Sequence, residues 1–194
     1  MMRARSAANG FSAVEIVMAL GIGAMLSGMA LPPVLRTLEE YRAAGAARYV
    51  ASRLQRARME AVRRSSNVAV RFTEAGELAM FVDANGNGVL SAEIRDGIDR
   101  QLGATERIGN DFTGVVLGTL PGLPSVEPGG APPGADPIRL GSSNIASFTS
   151  MGTSSSGSVY LRSRTCQFVV RIYGDTGKTR ILRFEERSRQ WRMA

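Results

Sequence analysis

An α+β fold, with a long amino-terminal helix packed on a carboxyl-terminal antiparallel β-sheet domain, is what the sequence predicts. Three observations carry it. Residues 11–35 form an apolar run whose only charge is Glu15. Residues 36–65 become an alanine- and arginine-rich amphipathic stretch free of proline. Beyond Asn67 the hydrophobic period shortens to that of strands, separated by Gly, Asp and Ser turns. The segments are therefore 1–10, 11–35, 36–65 and 66–194, with a Pro/Gly-rich loop over 121–137.

Composition limits the chemistry. The 194 residues are 44% hydrophobic and 21% charged, in the globular range, with a net charge of +7. Histidine is absent and Cys166 is the single cysteine. The commonest general base and zinc ligand are thus missing, and no intrachain disulfide can form. A Ser-His or Cys-His hydrolase and a zinc enzyme are disfavoured, and no acid, base and nucleophile set assembles from the remaining residues. No cofactor is expected.

The amino end comes first in chain order. Arg3 and Arg5 lie in the short polar segment 1–10, ahead of a 25-residue apolar run long enough to span about 30 Å as a helix. By the positive-inside rule the amino end stays cytoplasmic and residues after Leu35 cross the membrane. Glu15 does not suit a plain anchor, because a carboxylate inside an apolar span is costly and marks a functional position. Pro32 and Pro33 withdraw two backbone donors and should kink or loosen the helix without ending its pattern.

Residues 36–65 continue as a stalk. Leu38, Tyr41, Val50, Leu54, Ala57 and Ala61 recur at three- and four-residue steps and predict one buried face. The stretch holds eight arginines with only Tyr41 and Tyr49 as aromatics, so it reads as a solvated helix face ahead of a nucleic-acid or anionic-lipid surface.

The β domain follows. Val68–Phe72 and Glu77–Val82 predict a hairpin about the turn 73–76. The stretch between this hairpin and the Pro/Gly-rich loop yields no firm element. Six prolines and four glycines within 121–137 make that segment a loop. Strands are expected at 146–149, 158–163, 167–173, 179–184 and 190–193, with Gly174-Asp175-Thr176-Gly177 a turn between two of them. Cys166 reads as a lone thiol without an activating base, and Trp191 as a packing residue.

Asp83-x-Asn85-x-Asn87-Gly88 places oxygen-bearing side chains at alternating positions, as in the first half of a calcium loop. Ile94 stands at the twelfth position where a bidentate acid is needed, and Glu93 is one residue early. A strand-connecting turn is the favoured reading over a calcium site at Asp83, Asn85 and Asn87.

The string Asn9-Gly10-Phe11-Ser12-Ala13-Val14-Glu15-Ile16 resembles the prepilin peptidase site of type IV pilins and pseudopilins. Gly10, Phe11 and Glu15 fall on that family's leader glycine, first mature residue and fifth-position glutamate, and Pro32 and Pro33 where many of its helices carry a kinking proline. Two further strings, 81–88 followed by Glu93, and 148–157, resemble the GspH/FimT-type minor pilins and pseudopilins. The resemblance implies cleavage after Gly10, N-methylation of Phe11, and assembly into a helical fibre in which Glu15 meets a neighbour's amino group. It implies a minor pseudopilin of a type II secretion system, a non-enzymatic subunit at or near the tip; the alternative is a minor pilin of a type IV pilus, priming assembly or taking up DNA. The implied partners are other pilins, prepilin peptidase and the bacterial inner membrane, with the carboxyl-terminal domain periplasmic. Gly177-Lys178-Thr179-Arg180 resembles a DNA-contacting string of FimT-type pilins. Lys178 and Arg180 share a strand face, yet a solvated exterior strand is the favoured reading over nucleic acid.

Overall fold

The structure, a computed structural model, describes residues 10–127 and 129–194, with side chains throughout except at 29–32. The leader residues 1–9, Arg3 and Arg5 among them, lie outside the described residues. Helix α1 runs from Ala13 to Arg64. The chain divides into two compact units, Met1–Leu38 and Glu39–Ala194.

In the first unit, α1 continues through positions 32 and 33, and the Pro33 carbonyl accepts the Thr37 hydroxyl at 2.9 Å. The donors lost at two prolines are therefore absorbed within a helix that does not end there.

In the second unit, α1 packs on two antiparallel sheets. The strands are β1 (Val68–Phe72), β2 (Glu77–Val82), β3 (Arg100–Arg107), β4 (Val116–Leu117), β5 (Ile138–Arg139), β6 (Ile145–Phe148), β7 (Gly157–Arg162), β8 (Gln167–Tyr173), β9 (Lys178–Glu185) and β10 (Gln190–Met193). Short helices α2 (Ser91–Asp96) and α3 (Ile108–Asp111) flank β3. The first sheet has the order β3-β2-β1-β6; the second has the order β10-β9-β8-β7-β4, with β5 also paired to β7.

Register follows the period of two. Val68, Val70 and Phe72 lie opposite Val82, Met80 and Leu78, and all six join the main core. Ala69 and Phe81 face the other way, into a small cluster with Val89 and Ile145. In the second sheet, Val159, Leu161, Phe168, Val170 and Ile172 point at the helix, while Tyr160 and Val169 are buried on the opposite face. Burial on both faces explains why β7 and β8 read as apolar runs rather than alternations.

The helix contributes Ala43, Ala46, Ala47, Val50, Leu54, Ala57 and Ala61 to this core. Leu38 and Tyr41, expected on that face, are exposed; the buried stripe begins only at Ala43. Small residues let the helix approach the sheets closely. Polar contacts then fix its rotation: Arg53 pairs with Glu106 at 2.7 Å, Gln55 donates to Thr179 at 3.1 Å, and Arg58 donates to the Gly152 carbonyl at 2.8 Å.

The stretch that gave no firm element holds α2, β3, α3 and β4. Strand β3 is a sheet edge, mostly exposed and largely polar. Its pairing with β2 shifts register between Leu78 and Met80, opposite Gly103, whose φ of 81° is glycine's region. No alternation survives such a bulge, so periodicity could not find it.

Candidate functional site

Gly10 and Phe11 precede the helix in non-helical backbone, and both are exposed, Phe11 at 80%. No described atom lies within 4 Å of the Cβ that a side chain at Gly10 would carry. Among the described residues, no packing contact calls for glycine there.

Ser12 caps the helix. Its hydroxyl accepts the Val14 N–H at 3.2 Å, and the Glu15 carboxylate accepts the Ser12 N–H at 2.9 Å. This reciprocal arrangement, Ser-x-x-Glu, is a capping box that satisfies two of the helix's free amino-end donors. Sequence reading missed it, although the spacing was visible, because Glu15 had already been read as a membrane acid. Glu15 thus has a structural partner within its own chain, and that partner must be controlled for in any test of its role.

From Val14 to Leu26 the large apolar side chains are exposed by half or more. The 18-residue stretch of highest hydropathy within α1 has a mean hydropathy of 1.9, with no buried side chain among those described. Length and composition suffice to cross a membrane.

The string 83–88 forms a tight carboxylate-centred loop. Asp83 is buried. Its Oδ1 accepts the N–H groups of Asn85 and Gly86 at 3.2 and 2.7 Å; its Oδ2 accepts those of Asn67 Nδ2 and Gly88 at 2.9 and 2.8 Å. The amides of Asn85 and Asn87 both donate to Glu93 Oε1, at 3.1 and 2.7 Å. Asp99, also buried, accepts the Ala84 and Leu90 N–H groups and closes the loop from below. The three residues singled out in the sequence are therefore adjacent, with protein N–H donors on the Asp83 oxygens. Among the described residues, no group of three or more acidic, Cys or His side chains is placed to hold a metal ion. Ile94 packs against the small core of Ala69, Phe81, Val89 and Ile145.

Burial pushes the Asp83 carboxyl up, but donation from Asn67, Gly88, Gly86 and Asn85 outweighs it and holds the group below its ordinary value. The folded state thus binds the Asp83 proton more weakly than the unfolded chain does. This stabilisation is complete above about pH 4 and is lost as pH falls through the folded value. Asp83→Ala removes the acceptor of four N–H donors and is expected to cost about 1–3 kcal/mol at pH 7. Urea unfolding of wild type and variant at pH 7 and pH 3 checks this. The difference should shrink at the lower pH, and an undiminished difference would contradict the mechanism.

Lys178 and Arg180 lie on β9, both exposed and on one face. Arg180 lies over the Tyr173 ring at 5.4 Å, and Arg171 lies over the same ring at 5.0 Å. Trp191 packs edge-on against Tyr160 and tilted against Phe184. Cys166 is half-buried beside the Thr165 hydroxyl.

A family profile described as Type II transport protein GspH matches residues 46–178. The Pilin-like protein PilA1 of Thermus thermophilus is 40% identical over 84 residues, covering 41% of this chain and 51% of that protein. The chain thus matches about half the length of that relative. Two structures of the minor pseudopilin EpsH from the type 2 secretion system of Vibrio cholerae are also similar. One is 14% identical, with a TM-score of 0.46, and covers 73% of this chain and 97% of that one. The other is 13% identical, with a TM-score of 0.39, and covers 78% and 92%. The GspH match takes in more than half of the 194 residues, from the buried stripe of α1 through the second sheet to the start of β9, and the chain belongs to that family of type II transport proteins.

Proposed function

We propose that this protein is a minor pseudopilin of a type II protein secretion system, a non-enzymatic structural subunit at or near the tip of the fibre. The observation that carries the reading is the exposed apolar helix of the first unit, headed by Gly10-Phe11 and bearing one carboxylate. An apolar surface of that length needs a bilayer or neighbouring helices to cover it. Membership of the GspH family points to the same assembly. In this reading prepilin peptidase cuts after Gly10 and Phe11 is N-methylated. The cut removes Arg3 and Arg5 and creates an α-amino group. A neighbour's amino group pairs with Glu15 in the fibre core, as a buried charge requires. Before extraction into the fibre the helix spans the inner membrane, amino end cytoplasmic, with the β domain in the periplasm.

A type IV pilus subunit is the second reading, favoured by the likeness to a pilin-like relative. Deleting the gene and comparing the secreted proteome with piliation and transformability separates the two. Loss of secreted proteins with pili intact supports the first; the reverse pattern supports the second.

Processing is tested by intact-mass analysis of the protein extracted from membranes. The expected species begins at methylated Phe11. A chain still beginning at Met1 in cells with active prepilin peptidase would end this reading.

A further inference from the structure

The face of the second sheet turned away from α1 carries a cross-strand row: Arg139 on β5, Ser158 on β7, Arg171 on β8 and Arg180 on β9. Three guanidinium groups in one row repel one another, and such a row needs anionic company. Residues 121–127 lie over part of it. Trp191 Nε1 donates to the Pro124 carbonyl at 3.0 Å, and Arg189 donates to the Gly122 carbonyl at 2.7 Å. Under the loop is a cavity of about 210 Å³ whose charged lining residues are Glu127, Arg139 and Arg171, with Ser158 and Tyr160 beside them. Gly157 forms one wall: a Cβ there would collide with the Arg139 carbonyl oxygen, so glycine is what lets β5 sit close enough to carry Arg139 to the cavity.

The charges do not balance. Arg171 Nη1 lies 2.6 Å from Glu127 Oε1, while Arg139 Nη1 donates only to the Ala131 and Pro132 carbonyls. Among the described residues, no carboxylate pairs with Arg139. Nor is the Glu127 contact well formed. Arg171 Nη1 is fully buried yet makes no directed hydrogen bond, so the two charges touch without the aligned donation a guanidinium fork gives a carboxylate. The Glu127 side chain is 52% exposed and free to swing into water. The volume is below that of ordinary small-molecule sites, about 300–1,000 Å³, and suits one acidic side chain better than a cofactor.

We propose that this cavity receives a carboxylate from an acidic segment of a partner protein, and that Glu127 is its resident stand-in, displaced when the partner docks. The incoming carboxylate takes the aligned donors of Arg171 and adds the missing countercharge for Arg139. Residues 121–127 then act as a strap whose opening exposes the guanidinium donors of Arg139 and Arg171. This inference stands on the β domain alone and does not depend on which fibre the subunit joins.

Trp191 is the chain's single tryptophan and is bonded to the strap, so its emission reports the displacement. The full chain in detergent is titrated with acetylated, amidated tetraglutamate, with glutarate, and with inorganic phosphate. Tetraglutamate is expected to give a saturable emission change. Glu127→Gln should bind about threefold tighter or better, because the internal competitor is gone. Arg139→Gln and Arg171→Gln should each bind about tenfold more weakly. Arg64→Gln, at the end of α1, should match wild type and so exclude a bulk charge effect. Because the Glu127 variant is a gain, the proposal does not rest on variants that might only misfold. No saturation in wild type and Glu127→Gln alike would overturn it, as would equal loss in Arg64→Gln. Phosphate saturating where tetraglutamate does not, or glutarate binding as tightly as the peptide, would overturn the assignment to a partner's acidic segment.

Discussion

Replacing Glu15 by alanine is expected to leave the subunit inserted in the membrane and to remove it from the assembled fibre. Two effects of this substitution must be separated. Glu15 accepts the Ser12 N–H, so its loss opens the capping box and frays the first turn of α1, at about 0.5–2 kcal/mol. In the proposed fibre, the substitution would also leave a neighbour's ammonium without its counter-ion in an apolar core, at about 3–5 kcal/mol. The second cost is the larger and corresponds to a hundredfold or greater loss of incorporation by the usual conversion of about 1.4 kcal/mol per tenfold. Ser12→Ala is the control, since it breaks the same box from the other side and keeps the carboxylate. Co-purification with the other subunits should fall about a hundredfold or more for Glu15→Ala and stay near wild type for Ser12→Ala. Equal behaviour of the two variants would mean that Glu15 serves only its own helix.

The uneven legibility of this chain has physical causes. Strands of four or more residues bounded by a clear turn were readable: β1 and β2 about their turn, β8, and β10 were expected at the bounds they adopt, while those expected at 146–149 and 158–163 begin and end one residue earlier. The expected strand at 179–184 extends one residue further at each end. By contrast β3 is an exposed bulged edge, and β4 and β5 are two residues long, too short for any period to register. The role of loop 121–137 was hidden for another reason. Its composition declares a loop, but what it covers depends on Glu127 meeting Arg171, Gly122 meeting Arg189 and Pro124 meeting Trp191, contacts 40 or more residues apart in the chain. At Glu15 the failure was one of competing signals: a membrane acid and a capping box occupy the same position. The helix face shows a third kind of error. Spacing placed Leu38 and Tyr41 with Leu54, and only the contacts reveal where the sheets begin to cover the helix.

That last difference yields a sharp expectation for the core. Leu54 is wholly buried and is the largest fully buried side chain that α1 supplies; Val50 is the other sizeable one, and the remaining buried positions of the stripe are alanines. Alanine neighbours cannot swing into a vacated space, so Leu54→Ala leaves a cavity against the sheets rather than a repacked seam. The expected cost is about 2–5 kcal/mol, a large share of the stability of a domain this size. Leu54→Met keeps most of the volume and should cost less than about 1.5 kcal/mol. Leu38→Ala and Tyr41→Ala sit on the same nominal helical face but touch solvent, and should stay within about 0.5 kcal/mol of wild type. Urea unfolding of the full chain in detergent, followed by near-ultraviolet circular dichroism, measures all four. A midpoint that drops for Leu54→Ala and holds for the two exposed positions places the start of the helix–sheet seam after Tyr41. Comparable losses at Leu38 or Tyr41 would instead mean that the seam begins earlier, on the face that helical spacing alone defines.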